Sequence, residues 1–131
     1  MTGKSLLLVD DEPALVELLK KFLERHGHHV RTCGHPADAL KLFEAAPSQF
    51  DLVVSDLTLP GMTGEEMIER MRALKPGLRA MIASGYPYEP RVAGIEFLQK
   101  PFLPKMLLET MERMFASPRA ASAANRRGAG R

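Results

Sequence analysis

Leu6-Leu7-Leu8-Val9-Asp10-Asp11 sets four apolar side chains in an unbroken run and closes it on two carboxylates. Leu52-Val53-Val54-Ser55 repeats the pattern and closes on Asp56, while Phe97-Leu98-Gln99 leads into Lys100. A short apolar run without polar alternation reads as a strand buried on both faces, the condition of a parallel sheet covered by helices. Ligands of such sheets bind beyond the carboxyl ends of the strands. Three carboxylates and one ammonium are therefore expected to share one small site. Like charges that close either raise one another's pKa or gather a cation, and a divalent metal with oxygen ligands satisfies them.

Outward from these runs, strand and helix signals alternate. Pro13 suits a first helical turn, and Leu15, Leu18, Leu19, Phe22 and Leu23 follow at spacings of three and four, predicting an amphipathic helix that Gly27 ends. His29 to Cys33 reads as a second strand, and Pro36 opens a helix with Ala39, Leu40 and Phe43 inward. Pro60-Gly61 breaks the chain after the third strand, and Thr63-Gly64-Glu65-Glu66 is a capping box for a helix with Met67, Ile68, Met71 and Leu74 inward. Ala80 to Ala83 and Ile95 to Gln99 predict the last two strands. Pro104 opens a final helix that offers Leu107, Leu108, Met111, Met114 and Phe115 for burial. Strict alternation implies right-handed crossovers and a doubly wound α/β fold. The eight methionines, set at helical spacing, read as core fillers.

The 131 residues fit one domain of ordinary globular composition, 45% hydrophobic and 26% charged. The N-terminus lacks the pattern of a signal peptide and no apolar stretch is long enough for a membrane span, so a cytoplasmic location is expected. One cysteine, Cys33, is expected to act as a small buried hydrophobe. Net charge is +2, but Arg119, Arg126, Arg127 and Arg131 lie in a segment, 117–131, that has no acid. Residues 1–116 then carry 14 bases against 16 acids. We divide the chain into a folded unit, 1–116, and a basic tail, 117–131, expected to be disordered. Four scattered arginines without aromatics make a weak footprint for nucleic acid. His26, His28 and His29 sit between the first helix and second strand, where exposed loop histidines at a helix C-terminus explain them better than a metal site does.

An aspartate is a competent nucleophile towards phosphorus, provided that neighbouring cations neutralise the developing charge. Lys100 and Ser84 stand at neighbouring strand ends, where an ammonium and a hydroxyl would bind phosphoryl oxygens. Four segments, Leu-Leu-Val-Asp-Asp-Glu-Pro (7–13), Ser-Asp-Leu-Thr-Leu-Pro-Gly-Met-Thr-Gly (55–64), Ala-Ser-Gly-Tyr (83–86) and Gln-Lys-Pro-Phe (99–102), agree in order and spacing with one family. Over residues 4–116 the chain resembles the CheY-like receiver domain of two-component response regulators.

The resemblance implies a flavodoxin-like, five-stranded parallel sheet of order 2-1-3-4-5. It implies that Asp56 is the phosphoryl acceptor, that Asp10 and Asp11 bind Mg2+ together with Asp56 and the backbone carbonyl of Thr58, and that Ser84 and Lys100 contact the phosphoryl group. Phe97 resembles the aromatic whose rotamer reports the event, and the Lys100-Pro101 bond resembles the family's cis peptide. The implied partner is a histidine kinase or a histidine phosphotransfer protein. Between Ser84 and Lys100 the chain is about two helical turns shorter than a typical receiver and contains Gly85, Pro87, Pro90 and Gly94, so the usual fourth helix is expected to be short or absent. A face that often pairs receivers is thereby eroded, favouring a monomer. The Ser-Gly-Tyr-Pro stretch looks more like receivers of hybrid histidine kinases or single-domain relay modules. A rival reading is a magnesium-dependent phosphohydrolase of the haloacid dehalogenase type, but such enzymes place a general acid two residues after the nucleophile, where this chain has Thr58.

Overall fold

The structure, a computed structural model, describes residues 3–116. Five strands form one parallel sheet: β1 (Ser5–Val9), β2 (His29–Cys33), β3 (Leu52–Asp56), β6 (Arg79–Ser84) and β7 (Ile95–Gln99). Their order, β2-β1-β3-β6-β7, is the expected 2-1-3-4-5 arrangement. Helices α1 (Pro13–Arg25), α2 (Pro36–Ala45), α3 (Gly64–Leu74) and α4 (Pro104–Ala116) cover it. A hairpin of two-residue strands, β4 (Thr58–Leu59) and β5 (Met62–Thr63), links β3 to α3 and was not anticipated. The basic tail falls outside the described residues.

Side chains of a strand alternate between faces, and β1 shows why its apolar run is continuous. Leu7 and Val9 enter one core with Val53, Ala80 and Ile82, against Phe43 of α2 and Met67, Ile68 and Met71 of α3. Leu6 and Leu8 enter the other with Leu52, Val54 and Met81, against Leu19 and Leu23 of α1 and Leu107 and Met111 of α4. Fully burying one such side chain contributes ~1.5–3 kcal/mol, so both faces must stay covered.

Helix ends follow the sequence. Pro13 and Pro36 occupy the first turns of α1 and α2, and Gly27, at φ 88°, takes the left-handed conformation just past α1. The α3 capping box is complete: the Glu66 N–H donates to Thr63 Oγ1 at 3.1 Å and the Thr63 N–H to Glu66 Oε1 at 2.8 Å. Two inward assignments fail. Leu18 is 54% exposed and Leu74 is 51% exposed. Leu18 lies ~100° around the helix from Leu19, on the flank of the face centred on Leu19 and Leu23, and Leu74 lies past the last buried turn of α3.

No helix forms between β6 and β7, as the prolines and glycines there require. The segment is held instead by side chains of α3. Glu65 accepts from the backbone N–H of Arg91 at 2.7 Å and of Val92 at 2.9 Å, and also from the Tyr88 hydroxyl. Arg72 donates to the carbonyls of Leu78 at 3.0 Å, Gly94 at 3.1 Å and Ala93. The Tyr88 ring packs on Phe97 with centroids 6.3 Å apart, filling the core edge that a helix would otherwise cover.

Candidate functional site

Strand register brings distant residues to one end of the sheet. Val9 pairs with Ser55, Asp56 with Ala83 and Ser84 with Gln99, so Asp10, Asp56, Ser84 and Lys100 all fall at or just past strand C-termini. Backbone bonds extend the ladders past the last pairs: Asp10 N–H donates to the Cys33 carbonyl at 3.1 Å, Leu57 N–H to Ala83 at 2.9 Å and Lys100 N–H to Ser84 at 2.7 Å. The side chains are thus projected by a rigid sheet rather than by free loops.

Asp10, Asp11 and Asp56 each bring a carboxylate oxygen within 4.8 Å of the others, the only such group of three among the described residues. Three hard oxygens at this spacing suit Mg2+ or another hard divalent cation. Asp56 supplies an independent sign of fit. Its carboxyl is pushed above the usual aspartate range, first by burial and then by Asp10 and Asp11, against the opposing pull of Lys100 and the Leu57 N–H. A bound cation would relieve both the burial and the repulsion.

Lys100 Nζ lies 2.9 Å from Asp10 Oδ2, 2.9 Å from Glu12 Oε1 and 3.6 Å from Asp56 Oδ2. Burial works against the ammonium, but the hydrogen bonds it donates to Asp10 and Glu12 and the charges of Asp10 and Asp56 outweigh it and push its pKa up. Lys100 is therefore a fixed cation at neutral pH. The Lys100-Pro101 bond is cis, as expected.

Ser84 is buried at the end of β6, where its Oγ accepts from the Tyr86 N–H at 3.0 Å. Thr58 begins β4 as an exposed residue two positions after Asp56. Phe97 is half-buried on β7 and is engaged by Tyr88. Behind Asp56, the N-terminus of α3 approaches the strand closely. A Cβ on Gly64 would overlap the Asp56 carbonyl and stand 2.6 Å from Ser55 Oγ, so a side chain is excluded there. Gly64 N–H donates to the Leu57 carbonyl at 2.7 Å, locking the end of β3 to the helix.

Three expectations need correction or extension. His28 is buried rather than exposed: its Nδ1 accepts from the Lys4 N–H at 3.0 Å, and burial foremost lowers its pKa. Cys33 is half-buried, packs on the α2–α3 side of the core, and has its thiol pushed up by burial. Glu12 was not foreseen as part of the site. Its place in the Asp10-Asp11-Glu12 run was the available signal, but the sequence does not tell which acid turns towards Lys100.

Among the described residues no helix is long and apolar enough to cross a membrane. Residues 6–112 match the family model of the response regulator receiver domain. The chain is 31% identical over 116 residues to the sensor kinase CckA of Brucella abortus, covering 84% of this chain and 12% of that protein. It is also 31% identical over 123 residues to the DNA-binding transcriptional regulator NtrC of Azospirillum brasilense, covering 89% of this chain and 25% of that protein. Among solved structures, the CheY-like receiver domain protein of Methanospirillum hungatei JF-1 superposes with a TM-score of 0.79 at 30% identity, over 89% of this chain and 97% of that one. The chain spans no more than a quarter of the length of these two curated relatives. The haloacid dehalogenase reading gains no support from these likenesses.

Proposed function

The chain belongs to the response regulator receiver domain family of two-component systems, and from that premise we propose that Asp56 accepts a phosphoryl group from the phosphohistidine of a histidine kinase or histidine phosphotransfer protein. The observation that carries this reading is the convergence of Asp10, Asp11 and Asp56 with the Lys100 ammonium at one end of the sheet. We assign residues 1–116 to the receiver unit and 117–131 to a basic tail.

In the transfer, an Asp56 oxygen forms a bond to phosphorus as the bond from phosphorus to the donor imidazole nitrogen breaks. The nucleophile is an anion and gives up no proton. Asp10, Asp11, Asp56 and the Thr58 carbonyl would hold Mg2+, which when bound neutralises charge on the transferring group. Lys100 pairs with a phosphoryl oxygen from the opposite side, and its raised pKa keeps it charged for that task. The Ser84 hydroxyl turns from Tyr86 towards the phosphoryl group. Phosphorylation adds a charge of about −1.5 to −2, and the loop after Ser84 with Phe97 carries the rearrangement outward. Beyond this self-modification the unit turns over no substrate.

The test is labelling with acetyl phosphate and Mg2+. Wild type should take up label and Asp56→Asn should take up none; label on the variant removes Asp56 from the role.

A further inference from the structure

Glu12 is the carboxylate at this site that neither the acidic cluster nor the acceptor accounts for. An ammonium has three protons to donate. Lys100 directs its two short bonds, each 2.9 Å, to Asp10 and Glu12, and leaves Asp56 at 3.6 Å. Glu12 is placed by local backbone: it is the N-cap of α1, its side chain makes no capping bond, and its N–H donates to Asp10 Oδ1 at 2.9 Å. The same turn thus presents both carboxylates to one lysine. Glu12 lies outside the three-aspartate cluster, so an ion held there leaves Glu12 attached to Lys100.

We infer that Glu12 is a positioning residue that takes a hydrogen bond of Lys100 before transfer and competes with the phosphoryl group for its ammonium. The inference rests on the reading of Asp56 as acceptor. A cation among the aspartates would compete with Lys100 for the oxygens of Asp10, whereas Glu12 stands outside that cluster. Arriving phosphoryl oxygens must displace it. Because Glu12 is 61% exposed, its grip is that of a screened surface ion pair, which yields readily but biases the balance against the phosphorylated state.

Calorimetric titration with beryllofluoride and Mg2+, a mimic of the phosphoryl group, tests this on the full chain as a double-mutant cycle. Glu12→Gln keeps the side-chain shape and should tighten beryllofluoride binding about threefold to fivefold. In a Lys100→Met background, where the stem is kept and the charge removed, the same substitution should change nothing. An equal gain in both backgrounds means that lost charge acts through space, and overturns the inference. No gain, or weaker binding, in the single variant overturns it too. If wild type itself binds no beryllofluoride, the acceptor reading falls first and takes the inference with it.

Discussion

The Tyr88 hydroxyl donates to the Glu65 carboxylate, tying the segment between β6 and β7 to the first turn of α3. Glu65 is only 3% exposed, and its other oxygen accepts from two consecutive backbone N–H groups. A buried carboxylate is stable only when so satisfied. Here it replaces the organising role of a missing helix.

Glu65→Leu should therefore preserve apolar packing yet release the segment. We expect a loss of ~1–3 kcal/mol in denaturant unfolding, because three donors lose their acceptor. Hydrogen exchange should show the Arg91 and Val92 amides exposed while those of β1 and β3 stay protected.

Asp56→Asn should raise the melting temperature in the absence of divalent ions. Burial raises the folded-state pKa of Asp56, so its contribution is favourable while protonated, below the ordinary value of 3.8, and is lost as pH rises through the raised value. Above that raised value the ionised group destabilises the fold. The variant should melt on the order of a few degrees higher at pH 7 in EDTA, with the gap closing towards acid. Mg2+ should stabilise the wild type, by about 2.7 kcal/mol at a hundredfold excess over Kd, and the variant less.

Gly64→Ala should damage both stability and ion binding. The added methyl meets the Asp56 carbonyl and Ser55 Oγ, neither of which is the flexible end of a long side chain. Overpacking of this kind costs ~1–3 kcal/mol, and the displaced strand end carries a proposed ligand. Thermal melts with and without Mg2+ separate the two effects.

His28 makes stability depend on pH on the acid side. Its folded-state pKa is lowered, by burial foremost, so its full contribution is present above 6.5 and is lost as pH falls through the lowered value. His28→Asn retains an acceptor for the Lys4 N–H and should flatten that part of the curve. Paired melts between pH 7.5 and 5.5 measure the difference.

The parallel sheet was legible because burial on both faces leaves β1, β3 and β6 no polar alternation, and the helices because apolar spacing and end signals mark them, while the strand order came from the family resemblance. The convergence of Asp10, Asp11, Asp56 and Lys100 was legible because they punctuate those runs. Leu18 and Leu74 misled because helical spacing marks a broad stripe and not its edge. Glu65 was hidden for a different reason. It sits beside Glu66 in a capping signal that explains Glu66 alone, and its partners Tyr88, Arg91 and Val92 lie in a stretch without periodicity. Glu12 was hidden likewise, since its partner is 88 positions away.

Assembly of the site from β1, β3, β6 and β7 has a consequence for when the molecule becomes competent. Asp10 and Lys100 are 90 positions apart. A ribosome-bound chain that ends between β3 and β7 already carries the three aspartates but not Lys100. A chain cut short of the last strand therefore lacks the cation of the site altogether, since Lys100 follows directly on Gln99.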